Sequence, residues 1–165
     1  MITRSQAPTR PAIVIAAAAA LALGLGASAG CGSSANKLEG SLSDVYPLDF
    51  DTVDAQLVGS YLVVQYLRAA DGGKTIKLSV DLTGYTVSPG AAIDLAAPGA
   101  ASSHRGIFQR IVDANLDLPI ATGTLTLDAV PAAAMHLGGS FGATFTMPAG
   151  RSLHGDFSVD KVGKL

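Results

Sequence analysis

Hydrophobic and polar positions alternate along this chain in short runs, separated by glycine, proline, asparagine and aspartate. A period of two places alternate side chains on opposite faces of a strand. The cleanest case is Thr75–Thr83 (TIKLSVDLT): Ile76, Leu78, Val80 and Leu82 share one face, and Lys77, Ser79 and Asp81 share the other. The same reading predicts strands near Lys37–Ser43, Leu57–Arg68, Ala91–Leu95, Arg105–Val112, Ile120–Ala129, Met135–Thr146 and Ser152–Val162, with short helical turns in Phe50–Ala55 or Asn115–Leu118. About eight short strands punctuated by turn residues predict an all-β domain, an antiparallel β-sandwich, with an up-and-down β-barrel as the alternative.

Two hairpins follow from the turn residues. Ala69–Gly73 (AADGG) joins the second run to the third, with Asp71-Gly72 supplying the turn. Its simplest register pairs Arg68 with Lys74, Tyr66 with Ile76, Val64 with Leu78 and Leu62 with Val80. Leu57–Arg68, read as one strand, then turns Leu57, Tyr61, Val63 and Leu67 outward, as the lining of a central strand or as a patch for a partner. Met147–Arg151 closes the second hairpin, in a register that pairs Phe145 with Leu153 and Phe141 with Phe157. A Leu-x-Gly-[Ser/Asp]-large pattern recurs at Leu38, Leu57, Leu137 and Leu153, where the glycine leaves room for a bulky side chain or marks a bend. Pro89–His104 reads as a mobile surface loop.

The N-terminus follows a different rule. Met1–Pro11 carries Arg4 and Arg10 and no acid, Ala12–Leu25 is uncharged and apolar, and Gly26–Gly30 contains only small residues. This is the order of a secretory signal segment, and the apolar run is shorter than the ~20 residues of a spanning helix. Ser28-Ala29-Gly30-Cys31 resembles the lipobox of bacterial lipoprotein precursors, with Ser28 where leucine is usual. The resemblance covers this segment alone. It implies acylation of Cys31, and the chain then divides into a helical signal segment over 1–30, a polar tether over 31–36 and a single β domain over 37–165. Gly32, where aspartate signals inner-membrane retention, implies an outer-membrane address. Cys31 is the only cysteine, so it has no intramolecular disulfide partner, and acylation accounts for it. The other route, cleavage after Ala27-Ser28-Ala29, gives a soluble periplasmic or secreted protein.

Composition agrees with a β domain. Twelve of the thirteen acids are aspartate, which suits turns, and Glu39 is the only glutamate. Without residues 1–30, nine Lys and Arg stand against thirteen acids, a formal net charge of −4. No basic stripe is present for nucleic acid.

Chemistry-bearing residues are sparse. His104, His136 and His154 lie too far apart in sequence and register for a zinc site. No GxSxG elbow or glycine-rich phosphate loop occurs in the mature part. Asp49, Asp51 and Asp54 form one oxygen-rich loop, and Asp113, Asn115 and Asp117 form another. The second is similar to the start of an EF-hand loop, but Leu118 replaces its glycine and Thr124 its last glutamate. Three functions are expected. The first is a non-enzymatic envelope lipoprotein, tethered to the membrane, that meets an envelope protein or small ligand through its β domain. The second is a barrel-type carrier of an apolar ligand, and the third a Ca²⁺-dependent sugar- or surface-binding module.

Overall fold

The alternating runs do become strands, but the chain reverses more often than alternation alone suggests. The computed structural model describes residues 36–70, 72–112, 115–130 and 136–160. Cys31, Asp71, Asp113 and the signal segment lie outside the described residues. Among the described residues ten strands follow in chain order: β1 (Lys37–Glu39), β2 (Thr52–Val58), β3 (Tyr61–Leu67), β4 (Lys74–Asp81), β5 (Ala92–Asp94), β6 (Gly106–Ile111), β7 (Asn115–Leu118), β8 (Ile120–Leu127), β9 (Leu137–Phe145) and β10 (Ser152–Val159). They form two five-stranded antiparallel sheets. Sheet I has the order β1-β10-β9-β8-β5, and sheet II the order β2-β3-β4-β6-β7. The sheets do not close on each other, so the fold is a β-sandwich and not an up-and-down barrel.

Leu57–Arg68 is not one strand. Gly59 adopts φ 60° and, with Ser60, makes a two-residue turn that pairs Val58 with Tyr61. Positive φ at the first central position and not at the second is the type II′ pattern, which requires glycine there. The residues expected as a helical turn, Phe50–Ala55, instead lead into β2. Val53, Ala55 and Leu57 of β2 point inward, and Asp54, Gln56 and Val58 point outward. Asn115–Leu118 is also a strand, paired with β6 at the sheet edge. The first predicted strand stops early: Gly40 turns the chain at φ 137° into a 3-10 turn at Ser41–Asp44.

The β3–β4 register pairs Tyr66 with Ile76, Val64 with Leu78 and Leu62 with Val80, as alternation predicts. Lys74 pairs with Leu67, not Arg68, because β4 carries a bulge before Ile76. The β9–β10 register is two residues away from the predicted one. Phe141 faces Gly155 and Phe157 faces Gly139, so the rings do not oppose each other. Each ring instead lies over the glycine it faces on the neighbouring strand, Phe157 over Gly139 and Phe141 over Gly155.

The inward faces meet in one core. Sheet II contributes Leu62, Val64, Tyr66, Leu78, Val80 and Phe108; sheet I contributes Leu125, Leu127, Leu137, Phe145, Leu153 and Phe157, all fully or almost fully buried. Burial of each such side chain stabilises by about 1.5–3 kcal/mol relative to exposure. Rings join the layers, with Phe108 tilted against Phe141 at 5.5 Å and edge-to-face with Phe145 at 5.4 Å between centroids. The Pro89–His104 segment is tied down at several points. Leu95 bonds to Gly123 O, Gly106 to Leu95 O and Arg105 to Ala97 O through their amides, and Ala100 N–H donates to Asp81 Oδ2 at 2.7 Å.

Candidate functional site

Because β2, β3 and β4 are neighbours, their outward side chains form rows across sheet II. One row runs Val58–Tyr61–Asp81, the next Gln56–Val63–Ser79–Ile107, and the third Asp54–Gln65–Lys77–Gln109–Asp117. Between them lies a groove of about 300 Å³, lined by Gln56, Val58, Tyr61, Val63, Gln65, Lys74, Lys77 and Ser79. Val58, Tyr61 and nearby Ile107 are each about 40% exposed.

The polar lining is unusual for a sheet exterior. Gln56 and Gln65 are 6% and 7% exposed. Neither side-chain amide bonds to another described residue, and no buried side-chain polar atom among the described residues is left without a partner, so the amide groups open to solvent in the groove. Lys74 and Lys77 likewise pair with no carboxylate among the described residues. Of the acids around the groove, Asp54 stands on β2 directly opposite Gln65, while Asp81 and Asp117 are engaged in hydrogen bonds. Asp81 closes its end opposite Tyr61, but Asp81 Oδ1 accepts the Thr83 amide and Oδ2 the Ala100 amide. The Thr83 hydroxyl and amide, then the Ala100 amide, hold the Asp81 carboxyl below the usual carboxylate range. Asp117 accepts from Gln109 Nε2 at 2.9 Å. The groove therefore offers hydrogen-bond donors and acceptors, two positive charges and an apolar wall, which is the equipment of a binding surface.

The residues singled out from sequence fall partly here. Tyr61, Val63 and Leu67 lie on the outer face of β3. Leu57 does not join them: it pairs with Leu62 and packs against the core, because the Gly59–Ser60 turn reverses the chain between Leu57 and Tyr61. Asp51 Oδ2 accepts the Ala69 amide at 2.6 Å, and the Asp49 carbonyl accepts Thr75 Oγ1 at 2.6 Å. Asp54 and Asp117 stand at opposite edges of one five-strand row, about 19 Å apart at ~4.8 Å per strand. Asn115 is on β7, level with Ile111. No group of three or more His, Cys, Asp or Glu side chains suited to a metal ion occurs among the described residues.

Sheet I presents a different exterior. Thr122, Thr124, Gly142, Thr144, Asp94 and His154 line a wider depression of about 440 Å³. Thr122 and Thr144 bond to each other at 2.7 Å, and Asp94 Oδ1 accepts the Ala96 amide at 2.9 Å. His154 faces Gly142, and His136 Nδ1 lies 3.2 Å from Asp160 Oδ1. These groups are solvated hydroxyls and turn-forming acids.

No protein-family model, curated protein or solved structure matches this chain. The site therefore rests on its own geometry. The sequence reading missed Gln56, Val58, Gln65 and Lys74 as site residues. The signal was present for the two glutamines, each a lone amide inside an apolar strand (Ala55-Gln56-Leu57 and Val64-Gln65-Tyr66). None was present for Lys74, whose direction depends on the bulge.

Proposed function

We propose that this chain is a non-enzymatic lipoprotein of the cell envelope. Acylated Cys31 tethers it, in the outer membrane by the Gly32 rule, and the β-sandwich displays the outer face of sheet II to a partner. The sequence supports the tether: Arg4 and Arg10, the apolar run, the small residues and a lone cysteine occur in export order. Acyl chains hold a protein at a bilayer by ~0.8 kcal/mol per buried CH₂ without a spanning helix. The display reading is carried by one observation, the exposure of Val58, Tyr61 and Ile107 around a groove on the outer face of sheet II. Two sheets that pack apolar faces against each other and do not close into a barrel favour an outer-face site over a barrel-type carrier pocket. The separation of Asp54 from Asp117 gives a Ca²⁺ module little support.

The test is photocrosslinking in intact envelopes of the producing bacterium. A benzophenone amino acid replaces Tyr61 in one strain and Thr126, on the outer face of sheet I, in another. A discrete adduct from position 61 that is absent from 126 is expected. No adduct from 61, or the same adducts from both positions, overturns the display reading.

A further inference from the structure

Resting on the display reading, we infer that the groove on β2–β4 binds a short acidic peptide segment of the partner in extended form. Three independent features converge on that chemistry.

The first is the pair of glutamines. Gln56 and Gln65 are more than nine-tenths buried, line the groove, and have no side-chain partner among the described residues. A primary amide offers one acceptor and two donors, which complement a peptide group. Gln56 on β2 and Gln65 on β3 are diagonal neighbours, since Gln56 pairs with Val63. Such positions lie about 7 Å apart. Two residues of an extended peptide span nearly the same distance, at ~3.3 Å each, so successive like-facing peptide groups meet the two amides.

The second is the bulge. Lys74 and Lys77 are three residues apart, which in a regular strand places them on opposite faces. Both neighbours of β4 show the irregularity: Lys74 and Lys77 face Ile111 and Gln109 on β6, and Lys74 and Ile76 face Leu67 and Tyr66 on β3. One extra residue in β4 rotates the strand, and both lysines line the same groove. Thr75, fully buried, anchors the bulge through its hydroxyl bond to the Asp49 carbonyl. The result is a pair of cations without acid partners among the described residues, on a domain whose net charge is negative. Carboxylates of a ligand complement them.

The third is the wall. Val58 and Tyr61 form the row beside the Gln56–Val63 pair, and Val58 and Val63 present branched aliphatic surface. Branched aliphatic groups suit the apolar side chains of a peptide better than the face of a sugar ring, and Tyr61 is the sole aromatic in the lining. A volume of about 300 Å³ is at the lower end for ligand sites, which limits the segment to a few residues with acidic and apolar side chains alternating.

The experiment uses the full mature chain in detergent micelles and fluorescence anisotropy of a labelled Glu-Val-Glu-Leu-Glu-Val peptide. The comparison probes are its Gln-for-Glu isostere and an unlabelled oligogalacturonate as competitor. Saturable binding is expected, at least tenfold weaker for the neutral isostere. It should weaken at least tenfold in Lys77→Glu and in Gln65→Leu, with melting temperatures kept. Lys77→Gln serves where the charge reversal does not fold. Absence of peptide binding overturns the inference, as does binding unchanged in the folded Lys77 and Gln65 variants. Displacement or sole binding by the oligogalacturonate at the same residues assigns the groove to an anionic glycan and overturns it too. In each of these cases an adduct from position 61 in envelopes leaves the display reading standing, so the two failures are distinct.

Discussion

Gly155 lies directly beneath the ring of Phe141, the residue it faces across the β9–β10 ladder. A Cβ at Gly155 would sit 2.6 Å from Phe141 Cε1 and 2.8 Å from Tyr66 Oη. The ring therefore uses the space that any other side chain would fill, and it reaches the Tyr66 and Phe108 rings of the opposite sheet. Gly155→Val overpacks this contact and is expected to destabilise by about 1–3 kcal/mol. The midpoint of urea unfolding measures it, and an unchanged midpoint contradicts the packing described.

Tyr66 links the same region by hydrogen bonding. Its hydroxyl donates to the Asp156 carbonyl at 2.8 Å. Burial, and then the nearby Asp156 charge, push the phenol far above its ordinary range, so it stays neutral through the working pH range. Tyr66→Phe is expected to cost about 1 kcal/mol, the usual net worth of such a bond. The loss should be the same at pH 6 and pH 9. Paired melts at the two pH values check both points.

The Gly59–Ser60 turn carries a sharper requirement. With φ at 60°, Gly59 has open space around its Cα but a conformation costly for other residues. Gly59→Ala is expected to lose about 1–2 kcal/mol through backbone strain alone. Ser60→Ala, at the position without positive φ, should stay within about 0.5 kcal/mol. Chemical denaturation of the two variants separates conformation from contact.

Asp81 gives an acid-side dependence with a definite sign. Its folded pKa lies below the ordinary carboxylate range because the Thr83 hydroxyl and amide, and the Ala100 amide, bond to the charged form. A depressed carboxylate stabilises the fold at pH values above its unfolded pKa. That contribution disappears as pH falls through the lower folded value. Asp81→Asn is thus expected to lower the melting temperature at pH 6 and to show a shallower decline between pH 4 and pH 2 than the parent chain. Parallel declines would mean that Asp81 does not pin the loop.

The sequence carried the sandwich because alternation survives wherever one face is buried. Ile76, Leu78 and Val80 fixed both the inward face of β4 and its pairing with β3. It did not carry the chain reversals. Leu57-x-Gly59-Ser60-Tyr61 and Leu153-x-Gly155-Asp156-Phe157 share one pattern, yet the first glycine makes a turn and the second lies in a strand beneath a ring. The difference is tertiary: Gly155 has Phe141 above it, whereas Gly59 has nothing within 4 Å. The groove was half legible for the same reason. Tyr61 and Val63 follow from the alternation of β3, while Val58 and Gln56 join them only once the turn is placed, and Lys74 only through the bulge. The two oxygen-rich loops do not converge, because the sheet order sends Asp54 and Asp117 to opposite edges.

Display at a membrane requires the tether, so the most direct test is the intact mass of the mature protein from a Gram-negative host, wild type against Cys31→Ala, with both fractionated. A diacylglyceryl and an acyl group on a chain beginning at Cys31, lost together with membrane association in the variant, is the predicted result. An unmodified chain beginning at Gly30, soluble in both strains, would contradict the account.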